Sequence, residues 1–348
     1  MSETLALLAN AKQALILVGV EGYRLGFCKE LEEFITHSGL PFAASISGKS
    51  VIPEKHPQFL GVYYGILGHE SARTAIEASD LALCLGTLET DDVNVGGPVA
   101  QRMDPKKTVV AASDCVRVND RVFEKVSLAD FVTALRSRMP RKEPDLAKIP
   151  HPSLSREKYS AVAGQKITLA RFARRMDGFI TSANLIVADT GNAILFSADL
   201  YLPKDIEYIA QSFYASIGFS VPAALGVKLA APARRPVVFV GDGAFQLTGQ
   251  ELSTIIRQKL NPIIFLLNSD GYSVERAMHD GPFNDIQMWK YSKLPEVFGG
   301  GWGAEVKTED DLEQALSLAT ARPDSLAFIE LHIDRRDFAA GLKKLVGK

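Results

Sequence analysis

The sequence lacks the features that lead a chain to a membrane or to nucleic acid. Its formal net charge is only −2, so neither sign is in enough excess to attract a phosphate backbone or an anionic bilayer. Its apolar runs are interrupted and stay well below the ~20 residues that a membrane-spanning helix needs. The first residues, MSETLALLANAKQ, contain no basic segment followed by an apolar core, so we expect no signal peptide and a cytoplasmic location.

Cysteine is scarce as well. The three cysteines, Cys28, Cys84 and Cys115, are far apart and include no CxxC pair. This pattern excludes a disulfide framework and a cysteine-ligated zinc site, and we expect reduced residues in the core. The loop GVEGYRLG at 19–26 also lacks the GxGxxG spacing, which makes it a poor dinucleotide-binding fingerprint.

The order of apolar segments indicates an α/β fold. A chain of 348 residues suggests about two domains of ~100–200 residues each. Short β-rich runs, such as ALILVG at 14–19 and DLALCLG at 80–86, alternate with amphipathic segments such as 26–39 and 69–79. This alternation predicts doubly wound parallel sheets that are covered by helices.

A charged, proline-rich segment divides the chain. Residues 140–160, PRKEPDLAKIPHPSLSREKYS, contain four prolines and almost no apolar periodicity, which is typical of a linker. The alternation then resumes, with strands predicted at 235–243 and 261–271 and a helix at 248–260. We therefore predict two α/β domains, at 1–139 and 161–348.

Polar residues follow two of these predicted strands. The stretch VVFVGDGAFQLTG (237–249) places Asp242 between two glycines, and IIFLLNSDGYSVE (263–275) ends its strand on Asn268, Ser269 and Asp270. Parallel strands of a strand–helix–strand unit end at the same edge of the sheet, where ligands bind. A carboxylate, side-chain oxygens and a freed backbone carbonyl suit Mg²⁺, which is usually completed by phosphates.

Glycines and a helix start would complete a diphosphate site. Gly241 and Gly243 let phosphates come close to the backbone. The next helix, predicted to begin near Thr248, would present free amide groups to an anion. The sequence thus predicts a Mg²⁺–diphosphate site, and the alternative is a pair of ordinary turns with a capping aspartate.

The same stretches carry a family resemblance. The GDG triplet and the asparagine turn resemble the signature of thiamine diphosphate (ThDP) enzymes, and residues 241–298 resemble the pyruvate and indolepyruvate branch of the 2-oxo acid decarboxylases. ADTGN (188–192) and SFYASIGFSVPAALG (212–226) are similar to that branch in order and spacing. The resemblance implies a middle domain at 1–139, a diphosphate-binding domain at 161–348, and the cofactors ThDP and Mg²⁺.

The metal ligands implied by the resemblance include one departure. Mg²⁺ would be bound by Asp242, by Ser269 and by the carbonyl of Gly271. The family usually has an asparagine where this sequence has Ser269, so a hydroxyl takes that ligand position. Either Ser269 binds more weakly, or Asp270 compensates.

The resemblance also implies the residues around the rest of the cofactor. Ile217 would lie under it and force its V shape, and the Ala215 carbonyl would accept a hydrogen bond from the 4′-amino group. Glu275 would be the catalytic carboxylate in decarboxylation and in the proton transfer that follows. Cofactor contacts are expected from Thr190, Gly191, Asn192, Ala215, Ser216, Ile217, Gly241, Asp242, Gly243, Ala244, Asn268, Ser269, Tyr272, Ser273 and Val274.

The resemblance does not include the family's pyrimidine-binding domain, which supplies a glutamate that activates the cofactor. Three hypotheses stay open. The chain would be one subunit of a 2-oxo acid decarboxylase whose pyrimidine-binding domain is a separate polypeptide, a stand-alone homo-oligomeric enzyme, or a non-catalytic ThDP-binding protein. At least a dimer is expected, because a half-site at a sheet edge stays open to water. Phe213, Val274, Met278 and Trp289 would line an apolar substrate pocket or simply pack in the core.

Overall fold

The computed structural model describes residues 1–88, 105–152, 158–202 and 205–347. The chain divides into two compact units, Met1–Leu154 and Ser155–Lys348. The division falls within the segment 140–160, whose prolines and charges predict a linker. Among the described residues, no helix combines the length and the apolar character that crossing a bilayer requires.

Unit 1 is built around a mainly parallel sheet. Its strands are β1 (Ala14–Val18), β2 (Phe42–Ser45), β3 (Phe59–Tyr63), β4 (Leu81–Leu85), β5 (Thr108–Ala111), β6 (Cys115–Val118) and β7 (Arg121–Glu124). Its helices are α1 (Ser2–Asn10), α2 (Glu21–Arg24), α3 (Cys28–Ser38), α4 (Glu70–Ala78) and α5 (Leu128–Arg138), with 3₁₀ turns at Pro105–Lys107 and Leu146–Lys148. The strand order is β3-β2-β1-β4-β5-β6-β7, parallel up to β5 and closed by the antiparallel strands β6 and β7.

Unit 2 has an entirely parallel sheet of order β12-β13-β11-β10-β8-β9. Its strands are β8 (Asn184–Ala188), β9 (Glu207–Ala210), β10 (Arg235–Gly241), β11 (Ile263–Asn268), β12 (Trp302–Val306) and β13 (Ala327–His332). Its helices are α6 (Leu169–Phe179), α7 (Asn192–Ala198), α8 (Ser220–Ala230), α9 (Asp242–Thr248), α10 (Glu251–Arg257), α11 (Ser273–Met278), α12 (Leu294–Val297), α13 (Glu309–Ala321) and α14 (Ala340–Leu345), with 3₁₀ turns at Pro282–Asn284 and Tyr291–Lys293. The two sheets confirm the predicted α/β fold.

Aromatic side chains hold the central strands of unit 2. Strand β11 is buried along its whole length, which explains its continuous apolar sequence. Phe239 of β10 and Phe265 of β11 stack with ring centroids 5.8 Å apart, and Phe172 of α6 meets both rings edge-on. Elsewhere in the core, Phe245 of α9 packs against Phe328 of β13 at 5.2 Å. This packing fixes the strand tips that carry the polar residues.

The prediction of a helix at 248–260 is wrong about where the helix begins. The structure has α9 beginning at Asp242 itself, followed by a separate helix α10 from Glu251. The Asp242 carboxylate accepts a hydrogen bond from the N–H of Gly243 at 2.8 Å and so satisfies an amide of the first helical turn. The amides expected near Thr248 therefore lie at the end of a helix, and the helix start coincides with the GDG triplet.

The glycine loop of unit 1 packs tightly against its neighbour in the sheet. A Cβ atom on Gly19 would lie 2.1 Å from the carbonyl oxygen of Gly86, and the N–H of Glu21 donates to that same oxygen. The loops after β1 and β4 are thus in direct backbone contact.

Of the three cysteines, Cys84 is buried as expected, whereas Cys28 and Cys115 are half-buried, and no disulfide joins them.

Candidate functional site

The site lies where the strand order of unit 2 reverses. Strand β8 has β9 on one side and β10 on the other, so the connections that leave β8 and β10 run in opposite directions. Ligands of open α/β sheets bind at such a switch point, outside the carboxyl ends of the strands. The loops at this point begin at Asp189 and at Asp242, and the loop after β11 lies next to them.

The carboxylate of Asp242 is the centre of this group. Asp242 is only 1% exposed. Its Oδ2 accepts hydrogen bonds from the backbone N–H groups of Ser269 (3.1 Å) and Gly271 (3.0 Å). Burial raises the pKa of Asp242 to about 6, although the backbone hydrogen bonds oppose that rise. A buried anion of this kind calls for a compensating cation.

The predicted metal ligands lie together around this carboxylate. The Ser269 hydroxyl donates to the carbonyl oxygen of Gly271 at 3.3 Å, and both residues are bonded to Asp242 through their backbone N–H groups. The donors are a carboxylate, a hydroxyl and a carbonyl, all of which are hard oxygen ligands suited to Mg²⁺. The described residues contain no cluster of three or more His, Cys, Asp or Glu that could hold a metal. The three oxygen donors fit a hard cation whose remaining ligands are phosphates or waters.

Asp270 faces a different partner. Its carboxylate, which is exposed, pairs with Arg335. Its backbone is left-handed (φ 56°), with the N–H donating to Asn268 Oδ1 at 3.3 Å and the carbonyl accepting from Arg276 Nη2 at 3.1 Å. The structure therefore does not bring the Asp270 carboxylate to Asp242, and Asp270 shapes the loop through its main chain.

Two buried side chains, Asn268 and Arg276, stabilise the two ends of this loop. The amide of Asn268 donates to Glu330 Oε1 at 2.8 Å, and the other Glu330 oxygen accepts from the N–H of Ser292. The Asn268 side chain is thus turned toward β13 rather than toward Asp242. Arg276, also buried, pairs with Asp280 and Asp285 and so ties the start of α11 to the segment that follows it.

Close backbone packing explains two of the glycines. Gly271 has φ +112°, and a Cβ there would lie 2.1 Å from the carbonyl oxygen of Asn284. The N–H of Tyr272 donates to that same oxygen. A Cβ on Gly243 would lie 2.5 Å from the Tyr272 ring, so the ring rests directly on the start of α9. Gly271 therefore lets the loop after β11 approach Asn284, and Gly243 lets the Tyr272 ring approach α9.

The loop after β8 is bonded to the loop after β11. Asn192 donates to the hydroxyl of Ser273 at 3.0 Å, while its Oδ1 accepts from the N–H of Ala339. A Cβ on Gly191, at φ +89°, would lie 3.6 Å from Val274. The structure thus brings Gly191, Asn192, Ser273 and Val274 together. Thr190 instead donates its hydroxyl to the carbonyl of Gln211.

The segment that precedes α8 is strained and exposed. Tyr214 (φ 58°) and Ala215 (φ 50°) are both left-handed, a conformation that side chains other than glycine rarely adopt. Ala215 and Ser216 are exposed, whereas Ile217 is half-buried and packs against the core of unit 2. Such backbone conformations persist only where the surrounding structure maintains them. They are concentrated at ligand sites.

Asp189 is a buried carboxylate that the sequence reasoning did not single out. It is 0% exposed and accepts backbone hydrogen bonds from Thr190, Gly218 and Ser220. Burial raises its pKa, and the backbone donors oppose the rise. The signal that could have found it is its place directly after an apolar strand, as for Asp242.

Glu275 lies on the exposed side of α11, whose neighbouring residues Ser273, Arg276 and Ala277 are buried. The aromatic and sulfur side chains considered for a substrate pocket are also outside the core. Phe213, Met278 and Trp289 are 41%, 59% and 40% exposed. The side chain of the catalytic candidate is therefore exposed, as are these three apolar side chains.

Two family models match this chain. Residues 1–136 match the thiamine pyrophosphate enzyme central domain, and residues 189–331 match the thiamine pyrophosphate enzyme C-terminal TPP-binding domain. The chain belongs to the thiamine pyrophosphate enzymes. The C-terminal match starts at Asp189 and contains Asp242, Ser269, Gly271 and Glu275.

Relatives of known name lie within the same enzyme family. An alpha-keto-acid decarboxylase of Mycobacterium leprae (strain TN) is 32% identical over 338 residues, covering 96% of this chain and 59% of that protein. An alpha-keto-acid decarboxylase of Mycobacterium avium (strain 104) is 33% identical over 349 residues, covering 99% of this chain and 62% of that protein. The chain thus spans about 60% of the length of these relatives.

A solved structure has the same fold as this chain. Benzoylformate decarboxylase from Polynucleobacter necessarius superposes with a TM-score of 0.74 at 16% identity. The match covers 96% of this chain and 64% of the other. At this identity the likeness concerns the fold.

Replacing Arg276 by lysine should loosen the loop at 268–271. Lysine cannot bond the Asp270 carbonyl, Asp280 and Asp285 at once, because it lacks the planar fork of arginine. We expect a loss of about 1–3 kcal/mol in the free energy of unfolding and faster amide hydrogen exchange at 269–272. The control is Arg257→Lys, an exposed residue on α10 whose change should stay within about 0.5 kcal/mol. Unaltered exchange in Arg276→Lys would show that this arginine does not hold the loop.

Proposed function

We propose that the chain is the ThDP- and Mg²⁺-binding component of a nonoxidative 2-oxo acid decarboxylase. The observation that carries the proposal is that the Asp242 carboxylate accepts the backbone N–H groups of Ser269 and Gly271, so that the loop with the Ser269 hydroxyl and the Gly271 carbonyl lies against it. The names of the mycobacterial relatives support the reaction class. Because the chain spans about 60% of their length, the activity is proposed for an assembly that includes it.

The diphosphate half of the cofactor would lie against β10 and α9. Asp242, Ser269 and the Gly271 carbonyl would hold Mg²⁺, which the cofactor phosphates would complete. Gly241 borders open space, since a Cβ there would meet no atom within 4 Å. Gly243 has the Tyr272 ring on the side where a Cβ would stand, so Gly241 is the glycine at which phosphate oxygens would come close to the main chain, next to Ala244 in the first turn of α9.

The ring half of the cofactor would lie against the loops after β8 and before α8. Ile217 has one side against the core, so it offers a firm support for the rings, and the exposed Ala215 leaves its carbonyl accessible to an amino group. The chemistry supplied by ThDP in this place would be a carbon nucleophile for the 2-oxo carbon and an acceptor for the electron pair of the bond to CO₂. Glu275 would then exchange a proton with the reacting carbon, as a general acid–base group.

This half of the site needs a cover. Phe213, Tyr214, Met278, Phe283 and Trp289 are all 40% exposed or more, and they lie on the segments that carry the proposed site. An exposed apolar surface of this kind marks an interaction face, and a water-free site is needed for the chemistry. We propose that a pyrimidine-binding domain covers it.

Two alternatives share the same cofactor site. A homo-oligomer of this chain would cover the face with a second copy and activate the cofactor through another group. A non-catalytic ThDP-binding protein would require neither Glu275 nor Ile217, because binding a diphosphate uses neither of them. The presence of both residues favours an enzyme.

Hydrogen–deuterium exchange at C2 of ThDP, followed by NMR, tests the proposed function. The purified chain with Mg²⁺ should bind ThDP without accelerating this exchange, and addition of a polypeptide with a pyrimidine-binding domain should accelerate it and yield decarboxylation of 2-oxo acids. Acceleration by the chain alone would instead favour the homo-oligomeric enzyme. Binding that never leads to acceleration would contradict the catalytic proposal.

Substitutions at Ser269 and Asp270 should separate their roles in metal binding. Ser269→Ala removes a proposed ligand, so the affinity for Mn²⁺ in the presence of ThDP should fall about tenfold, equivalent to about 1.4 kcal/mol. Asp270→Asn should change that affinity by less than about twofold, because the Asp270 carboxylate is paired with Arg335. Ser269→Asn, which restores the ligand usual in the family, should strengthen binding.

Electron paramagnetic resonance of free Mn²⁺ measures the Mn²⁺ affinity of all three variants under the same conditions. A larger loss in Asp270→Asn than in Ser269→Ala would show that the aspartate is the ligand, and it would overturn this assignment.

A further inference from the structure

Asp189 connects three parts of the ring half of the proposed site. Its Oδ1 accepts hydrogen bonds from the N–H groups of Thr190 (3.0 Å) and Gly218 (3.1 Å), and its Oδ2 accepts one from the N–H of Ser220 (2.8 Å). Thr190 lies in the loop after β8, Gly218 directly follows the strained segment 213–217, and Ser220 is the first residue of α8. A single carboxylate thus determines how three chain segments meet.

The hydrogen bonds to Asp189 fix the C-terminal end of the strained segment. Tyr214 and Ala215 are left-handed and exposed, so their own contacts do little to fix them. Gly218, at φ +90°, is held on both sides, since its N–H donates to Asp189 and its carbonyl accepts from the hydroxyl of Thr248 at 2.7 Å. Thr248 ends the same helix α9 that begins at Asp242.

Full burial of a charge is unfavourable unless directed hydrogen bonds offset it. Asp189 has such bonds, and its carboxylate also lies at the N-terminus of α8, where the helix dipole favours an anion. An asparagine of the same shape would keep one oxygen but turn an NH₂ group toward a backbone N–H. The arrangement therefore depends on a carboxylate and not on packing alone.

Asp189 and Asp242 are anchored to the same strand. The N–H of Asp189 donates to the carbonyl of Phe239 in β10, and that strand ends immediately before Asp242. Asp242 binds the amides of the loop after β11, whereas Asp189 binds those of the loop before α8. The two buried carboxylates thus organise opposite halves of one site.

We propose that Asp189 is a positioning residue that holds the segment 213–217 in the conformation that receives the ring half of ThDP. The proposal rests on the proposed function, since it takes ThDP as the ligand. Asp189 touches neither the cofactor nor the substrate in this scheme, and it acts through Gly218 and Ser220. Its loss should therefore weaken binding of the rings and spare binding of the diphosphate.

The test compares ThDP with inorganic diphosphate, both with Mg²⁺, by isothermal titration calorimetry of the full chain. In Asp189→Asn the affinity for ThDP should fall about 10–100-fold, as is typical when a supporting residue is lost. The affinity for Mg²⁺–diphosphate should change by less than about twofold. Thr248→Val, which removes the bond to the Gly218 carbonyl without loss of volume, should shift the ratio of the two affinities in the same direction by a smaller factor.

The control is Asp324→Asn, an exposed carboxylate in unit 2, which should leave both affinities unchanged. Equal losses for both ligands, or no loss for either, in Asp189→Asn would overturn the positioning role. If Asp189→Asn does not fold, an unchanged ratio in Thr248→Val has the same consequence. A wild-type chain that binds Mg²⁺–diphosphate as tightly as ThDP would overturn the proposed function and this inference with it.

Discussion

Two buried carboxylates at the tips of adjacent parallel strands determine the shape of the candidate site. Asp189 follows β8 and Asp242 follows β10, and each accepts one backbone hydrogen bond from the next residue and two from a neighbouring segment. The parallel sheet makes this possible, because its strands end at one edge and the strand order reverses there. If either carboxylate is removed, backbone amides that are now satisfied lose their acceptors.

The sequence was sufficient for the fold, which follows from local patterns, whereas the metal ligands and cofactor contacts at the strand tips stay predictions. Continuous apolar runs predict buried parallel strands, and an aspartate between glycines at the end of such a run predicts a ligand contact. The start of α9 was missed because GDG is typical of a turn, whereas here the aspartate bonds the first helical amides. The contact that brings Asp242 to Ser269 and Gly271 follows from the pairing of β10 with β11.

The remaining contacts depend on residues that are distant in sequence. Asn268 bonds Glu330, 62 positions away, and Asp270 pairs with Arg335, 65 positions away. Asp189 reaches Gly218 across 29 positions. No local pattern shows which of several polar side chains will meet after folding, so the alternative of Asp270 as a metal ligand could not be resolved from sequence. Its pairing with Arg335 favours Ser269.

Membership in the thiamine pyrophosphate enzymes and an outward-facing Glu275 are consistent with a site that is completed by another domain. Asp242, Ser269 and Gly271 are buried and bonded to one another within unit 2, whereas Ala215, Ser216 and Glu275 are exposed. This division assigns separate tasks to the two halves. The strand tips would bind the metal and phosphates, and a covering domain would exclude water from the reacting atoms.

The most direct test of this account is titration of ThDP into the chain, with and without Mg²⁺, for the wild type and for Asp242→Asn. The account predicts binding that requires Mg²⁺ in the wild type and is lost in a folded Asp242→Asn variant, because that carboxylate is the charged ligand at the centre of the site. Equal binding of ThDP by both proteins, or binding that is independent of Mg²⁺, would contradict it.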